Sequence, residues 1–363
     1  MLISNKSKEI VESCRFCWMC RHICPIGNAT GQERNTARAR ALTLSLVERG
    51  AADFSGGIAD NVYECALCGG CTKDCATGWD PVQFTKETRN EIVMSGNAPA
   101  YILKMIDNLN TTGNVYGKTA LCGDLAKAIE GVSAKTDTLF FLGSDARYAA
   151  CKQAKGAIDM LKKAGVSFTV IADEPNSGYA WDFLVGAADE TKAAMSACAE
   201  TLNDYKTVVC YDPADAKVML REYKEWGIEV KAEIKTFTSF LAEKIADGTI
   251  KAAKTDKTLY FQDPAVLARD LEETQPARDV LAACGDVKEM LLFGKDVMWG
   301  GSSMMAEYMP KVMKLVSERR WGDLAHMNGT VMVTASPAEY AALAAVKPEG
   351  MELYTIEEVV AGC

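Results

Sequence analysis

Two short stretches of the chain share one cysteine spacing, and they decide the fold of its first hundred residues. Residues 14–25 read CRFCWMCRHICP and residues 65–76 read CALCGGCTKDCA. Both follow the pattern C-x2-C-x2-C-x3-C, in which three thiolates reach three irons of one cube and the fourth cysteine points to a second cluster. The spacing therefore predicts two [4Fe–4S] clusters with exchanged ligands. The first would be held by Cys14, Cys17, Cys20 and Cys75, and the second by Cys65, Cys68, Cys71 and Cys24.

Other uses of clustered cysteines fit this spacing less well. Structural zinc sites normally use two pairs of ligands separated by a longer loop, and disulfides are rare in a reducing cytosol. The two stretches differ in the residue after the fourth cysteine, which is Pro25 after Cys24 but Ala76 after Cys75. Proline restricts the residue before it to extended conformations, so only the first stretch carries this restraint.

Further residues of the two stretches have predicted roles around the clusters. The glycines serve either as N–H donors to sulfur or as plain turn residues, and the sequence leaves both alternatives open. These glycines are Gly27, Gly69, Gly70 and Gly78. Four large apolar side chains are predicted to form a shell that excludes water from the clusters. They are Phe16, Trp18, Met19 and Leu67.

The segments around the cysteines have helical patterns. Residues 36–50 place Ala39, Leu42 and Leu46 on one face and end at a glycine, and a second helical pattern starts at Asp80-Pro81 and runs to residue 94. Residues 1–100 are therefore predicted to form a helical, ferredoxin-like domain that holds both clusters. A helical linker is predicted over residues 101–135.

Beyond residue 136 the pattern alternates between strands and helices, which predicts parallel sheets covered by helices. Strands are predicted at residues 137–143, 166–172 and 207–211, with helices at 149–164 and 213–226. The pattern returns about 120 residues later. Residues 138–142 are echoed by 258–262, 207–215 by 330–339, and 227–230 by 350–353. The nearly constant offset favours an internal duplication into residues 136–250 and 256–363.

Composition excludes several classes of function. The chain has 363 residues, 14 cysteines and a net charge of −9, and such an acidic chain is a poor nucleic-acid binder. It contains no apolar run long enough to span a membrane and no apolar signal region after its first charges. We therefore expect a cytoplasmic protein, or one held at a membrane surface through a partner.

The complete pattern resembles the iron–sulfur subunits of heterodisulfide reductases (their D-type subunits), glycolate oxidases and anaerobic glycerol-3-phosphate dehydrogenases. Residues 141–148, FLGSDARY, stand in place of that family's F-x-G-C-x-x-R-Y, and residues 263–269, DPAVLAR, in place of D-P-C-H-L-A-R. The resemblance implies that the two α/β units are the family's paired cysteine-rich (CCG) domains.

The ligand positions of these domains are degenerate in this chain. Residues 176–178, NSG, and 300–302, GGS, replace the C-C-G motifs, while Ser144 and Ala265 replace isolated cysteines. Residues 335–339, ASPAE, replace C-P-x-C, and in the first unit only Cys210 survives. Because a cluster needs several convergent soft ligands, no cluster is predicted in residues 101–363. The single cysteines are predicted to be buried small side chains. They are Cys122, Cys151, Cys198, Cys210, Cys284 and Cys363.

Two predicted one-electron carriers without a dinucleotide-binding motif indicate an electron-transfer subunit. It would relay electrons between a partner flavoprotein and a second acceptor, which could be a quinone, a ferredoxin or another iron–sulfur subunit. The resemblance implies that the flavoprotein is an FAD-dependent dehydrogenase, and no residue of the chain itself is predicted to be catalytic. The alternatives are a thiol–disulfide reductase of the heterodisulfide type and a redox sensor that signals through cluster assembly or loss.

Overall fold

The computed structural model describes residues 3–14 and 17–362. Short helices surround the two cysteine loops in the first hundred residues. They are α1 (Asn5–Glu12), α2 (Met19–Ile23), α3 (Pro25–Thr30), α4 (Ala37–Glu48), α5 (Gly56–Tyr63), α6 (Gly70–Asp74) and α7 (Pro81–Met94), with a 3-10 turn at Glu33–Asn35. Thr36 caps α4 and Asp80 caps α7 through side-chain oxygens that accept backbone N–H groups. This part of the chain is therefore helical, in agreement with the prediction.

The buried face of α4 differs from the one that the sequence suggested. Leu42 and Leu46 are exposed, and the core side of the helix carries Ala41, Leu44 and Arg40. The apolar pattern misleads here because the buried side of α4 includes a charged residue, Arg40, which lies beside the cysteines.

The linker contains α8 (Ala100–Thr112) and α9 (Gly123–Glu130), and a parallel sheet follows it. The sheet has the order β1 (Thr138–Phe141), β2 (Thr207–Cys210) and β3 (Glu233–Thr236). Its helical elements are α10 (Ser144–Tyr148), α11 (Cys151–Lys163), α12 (Tyr179–Leu184), α13 (Asp189–Leu202), α14 (Pro213–Lys217), a π-helical turn (Val218–Glu222), α15 (Tyr223–Glu225) and α16 (Phe237–Ala246).

The strand predicted at residues 166–172 is reduced to a single bridge between Leu139 and Thr169. Its neighbours use their backbone groups elsewhere: the N–H of Val170 donates to the carbonyl of Val132, and the carbonyls of residues 171 and 172 accept from the Arg147 guanidinium. Residues 227–230, another predicted echo, lie before β3 and form no strand.

The second sheet is also parallel and has the order β5-β4-β6-β7. Its strands are β4 (Thr258–Gln262), β5 (Asp286–Glu289), β6 (Val331–Thr334) and β7 (Glu352–Thr355). Its helices are α17 (Gln275–Ala282), α18 (Ser303–Ala306), α19 (Pro310–His326), α20 (Pro337–Ala344) and α21 (Ile356–Ala361), with a π-helical turn at Val266–Asp270 and a 3-10 turn at Gly294–Asp296. When the Thr169 bridge is counted as an edge, both sheets have the same strand order.

Two arginines fasten the second cysteine loop to the sheets. Arg89 on α7 is buried and donates to the carbonyls of Cys65 and Phe183, at 2.6 Å in each case. Arg269 donates to the carbonyl of Cys68 at 2.8 Å and to that of Val297. The helical part also shares an apolar cluster with residues of both α/β units, including Trp181 and Met304. No helix in the described part of the chain is both long and apolar enough to cross a membrane.

Candidate metal centre

The first group of cysteines combines both loops. A cavity of about 20 Å³ is lined by Cys14, Cys17, Cys20 and Cys75 together with Trp18, Met19, Arg38, Thr77 and Trp79. Three of these thiols come from the first loop and the fourth from the second. This is the arrangement that the C-x2-C-x2-C-x3-C spacing predicts for a cluster with one exchanged ligand.

The second group is the reciprocal set. The charges of Cys65, Cys68 and Cys24 act on Cys71, and burial, the largest cause, raises the pKa of that thiol well above its ordinary value. Burial raises the pKa of Cys24 to about 11 and also raises that of Cys68, and the charge of the neighbouring Cys65 adds to both shifts. In residues 3–14 and 17–362, no three His, Cys, Asp or Glu side chains converge on a point that would hold a single ion.

Both loops reach this arrangement through the same backbone path. The residue after the second cysteine is left-handed in each loop, with φ of 72° at Trp18 and 70° at Gly69. Each loop then forms a one-turn helix, α2 or α6, and the two helices pack against each other. Cys24 and Cys75 follow with φ/ψ of −72°/111° and −74°/117°. Cys75 therefore adopts the extended conformation without the proline that follows Cys24.

Backbone N–H groups donate to the sulfurs, as expected around iron–sulfur clusters. The N–H of Gly27 donates to Cys24 Sγ at 3.3 Å, and that of Gly70 donates to the Cys68 sulfur. Gly69 and Gly78 instead occupy left-handed turn positions, with φ of 70° and 68°. The two roles that the sequence left open for the glycines are thus divided among them.

The predicted water-excluding shell is only partly present. Leu67 is buried, whereas Trp18 and Met19 are 46% and 47% exposed, and Phe16 lies outside the described residues. The Arg38 guanidinium stacks on the exposed Trp18 ring at 4.1 Å from its centroid. Because Cys17 is exposed as well, the first cysteine group lies near the surface and the second lies in the interior.

Arg40 is the functional residue that sequence reasoning missed. It is 3% exposed, its charge acts on Cys24, Cys65 and Cys71, and its Nη1 atom has no hydrogen-bond partner within the described structure. A buried, unpartnered guanidinium nitrogen beside three thiols fits an anionic cluster that would satisfy it. Only its position on the buried side of α4 identifies it.

Replacing Arg40 with methionine is expected to lower the reduction potential of the interior cluster, because the buried positive charge stabilises the reduced, more negative state. Each 1.4 kcal/mol of lost stabilisation corresponds to about 59 mV for one electron. Anaerobic potentiometry followed by EPR measures this shift. Arg49→Met, on the exposed end of the same helix, serves as the control, and an unchanged potential in R40M would contradict the assigned role.

Degenerate ligand positions of the second α/β unit line a second cavity of about 60 Å³. Its wall combines the loop of residues 66–68 with Ala265, Ser302 and Ser336. Glu339 also lines this cavity, and its carboxylate accepts from Gln262 Nε2 at 3.0 Å. A Cβ added at Gly300 would lie 2.8 Å from Glu339 Oε2. The carboxylate therefore occupies the space that a side chain at position 300 would need.

The first unit has an equivalent buried carboxyl group, that of Asp215. Asp215 is the third residue of α14, which follows β2, and Glu339 is the third residue of α20, which follows β6. The Ser177 hydroxyl, at a degenerate C-C-G position, donates to the Asp215 carboxylate. Burial is the largest cause that raises the pKa of Asp215 to about 8 and that of Glu339 to about 7. Burial thus shifts one carboxyl group in each unit towards its neutral form.

Asp215→Asn is expected to reduce the dependence of stability on pH. The folded protein retains a proton that the unfolded chain releases near pH 4, so the free energy of unfolding falls as the pH rises from about 4 to about 8. Asparagine removes this contribution, which is at most about 1.4 kcal/mol per pH unit. Urea unfolding at a series of pH values measures both slopes; identical slopes in D215N and the parent protein would contradict the buried neutral carboxyl.

A known protein family matches the segment that contains both cysteine loops. The 4Fe-4S dicluster domain family matches residues 10–79. The D-type subunit of dihydromethanophenazine:CoB–CoM heterodisulfide reductase from Methanosarcina acetivorans is 25% identical over 302 residues, covering 77% of this chain and 71% of that protein. The corresponding protein of Methanosarcina barkeri is 23% identical over 301 residues, with coverage of 77% and 71%. The chain is thus similar to iron–sulfur subunits of heterodisulfide reductases over most of its length.

This relationship extends beyond the cysteine loops. An uncharacterized iron–sulfur protein of Methanocaldococcus jannaschii is 22% identical over 342 residues, covering 92% of this chain and 67% of that protein. The similarity therefore includes the α/β units and supports a 4Fe–4S protein of the oxidoreductase-subunit type. Among solved structures, an aspartate racemase homologue from Pyrococcus horikoshii OT3 overlays on 62% of this chain and 96% of its own, with 8% identity and a TM-score of 0.29.

Proposed function

We propose that the chain is an electron-transfer subunit with two [4Fe–4S] clusters, one ligated by Cys14, Cys17, Cys20 and Cys75 and the other by Cys65, Cys68, Cys71 and Cys24. The observation that carries this proposal is that each cysteine group combines three thiols from one loop with one thiol from the other. When bound, such clusters accept and release single electrons. The protein supplies the N–H donors and the Arg40 charge that tune them.

The two cysteine groups have different surroundings, which supports a relay through the protein. The first group, with exposed Cys17 and Trp18, is accessible to a partner. In the second group, Cys68 lines the second cavity, the one of about 60 Å³ that Ala265, Ser302 and Ser336 also line. The two cysteine loops lie close together in space, because the one-turn helix of each loop, α2 or α6, packs against that of the other. A partner flavoprotein would therefore exchange electrons with the first cluster at the surface formed by Cys17 and Trp18.

The α/β units, residues 136–250 and 256–363, are proposed to be degenerate cysteine-rich domains that act as a scaffold. Their shared strand order supports a duplication, and Asp215 and Glu339 occupy positions where ligands of the related domains are expected. The Methanosarcina relatives are named as parts of a heterodisulfide reductase, and by analogy this chain would act beside a flavoprotein and a further acceptor. Anaerobic co-purification with a flavin-containing protein tests that partner.

Iron analysis tests the cluster number directly. Anaerobically reconstituted protein is expected to contain about eight irons and eight acid-labile sulfides per chain, which corresponds to two clusters of four. After reduction it is expected to show EPR signals of two interacting [4Fe–4S] centres. A value near twelve irons would contradict the prediction that residues 101–363 hold no cluster. A colourless or zinc-loaded protein would contradict the proposed function as a whole.

A further inference from the structure

Two cysteines outside the metal centre lie side by side. Cys122 is the N-cap of α9, and Cys151 is the first residue of α11. The two helices pack against each other, and the Cys122 side chain is the hydrogen-bond partner of the Cys151 thiol. The prediction that these two cysteines are buried is wrong, because both keep accessible surface. Their contact, between residues far apart in the chain, arises from helix packing.

The pair is accessible and held in place. Both thiols are half-buried, whereas Cys198, Cys210 and Cys284 are buried. The linker that carries Cys122 is tied to α10, directly before Cys151, through two hydrogen bonds. Lys118 Nζ donates to the carbonyl of Tyr148 at 2.8 Å, and the Tyr116 hydroxyl donates to Asp145. These contacts keep the two thiols opposed at a surface that a small molecule reaches.

We propose that Cys122 and Cys151 form a reversible disulfide by exchange with a low-molecular-weight disulfide. The Cys122 thiolate attacks one sulfur of that disulfide, whose S–S bond breaks and releases one thiolate. Cys151 then loses its proton and attacks the Cys122 sulfur of the mixed disulfide, which releases the second thiolate. Two protein thiols are oxidised to one disulfide, and the small disulfide is reduced to two thiols.

The surroundings of Cys151 assign the order of attack. Burial, the hydrogen bond with Cys122 and the charge of that neighbour raise the pKa of Cys151 to about 11. Cys151 therefore stays protonated near neutral pH and acts second. The Lys118 ammonium also acts on Cys151 and favours its thiolate, which assists the closing step. The resulting bond would join the linker to the first α/β unit at the start of α11.

The test uses the reconstituted full-length protein in anaerobic glutathione buffers of graded thiol-to-disulfide ratio. Acid quenching, alkylation and non-reducing peptide mass spectrometry are expected to show a Cys122–Cys151 linkage that increases with glutathione disulfide. Cys151→Ser is expected to retain one glutathione on Cys122, whereas Cys122→Ser leaves Cys151 mostly unmodified. Cys198→Ser, which alters a buried single cysteine, is expected to match the parent protein.

Two results would overturn the proposal. One is complete alkylation of both thiols at every glutathione ratio, and the other is the absence of glutathione on Cys122 in C151S. Iron content is measured in the same samples. A protein that keeps about eight irons but forms no linkage refutes the disulfide alone, whereas a linkage in a protein without iron refutes only the proposed electron-transfer function.

Discussion

Replacing Cys75 with alanine is expected to remove the cluster of the other loop, the one held by Cys14, Cys17 and Cys20. The reason is that Cys75, which follows α6 and is itself extended, lines the cavity of the first cysteine group. The single variant is expected to retain about four irons, half of the full complement. Iron analysis and EPR of the remaining centre measure this loss.

Two double variants separate the exchanged assignment from a simple one in which each loop holds its own cluster. Cys17→Ala with Cys75→Ala affects one cluster in the exchanged arrangement and should retain about four irons. Cys71→Ala with Cys75→Ala affects both clusters and should retain almost none. The simple assignment predicts the reverse order, so the two iron contents decide between them. Cys198→Ala controls for the loss of a cysteine outside the metal centre.

Arg89→Met is expected to destabilise the folded protein by about 3 kcal/mol. The Arg89 guanidinium donates to three buried carbonyls, those of Val62, Cys65 and Phe183, and methionine leaves them without a donor. The guanidinium also stacks on the Tyr63 and Phe183 rings, at 5.0 and 4.5 Å from their centroids. Chemical unfolding followed by circular dichroism measures the loss.

The same substitution should loosen the second cysteine loop, because Arg89 connects the Cys65 carbonyl to the first α/β unit. The interior cluster is therefore expected to bleach before the rest of the protein unfolds. Arg49→Met, an exposed control, should change the stability by no more than about 0.5 kcal/mol. If R89M unfolded at the same denaturant concentration as R49M, the anchoring role of Arg89 would be refuted.

Most of the candidate site could be predicted from the sequence, because ligand spacing is a local property. Cys14, Cys17 and Cys20 lie close together in any compact loop of that spacing, and the four-residue step to Cys24 directs it away. The helices α4 and α7 were likewise predictable from caps, proline and glycine. The sequence predicted a full strand at residues 166–172, but the structure has only one bridge there. Arg147 and Val132 bind its backbone groups instead.

The sequence by itself determined two cysteine sets, a helical cluster module and a duplicated α/β pattern, since each follows from short-range spacing or from a nearly constant offset along the chain. Only the tertiary structure decided the residues that surround these features. Helix packing buries Arg40 beside three thiols and brings Cys122 into contact with Cys151. It also places carboxyl groups where ligands of the related domains are expected. Packing joins residues that are distant in sequence, and no local pattern encodes such contacts.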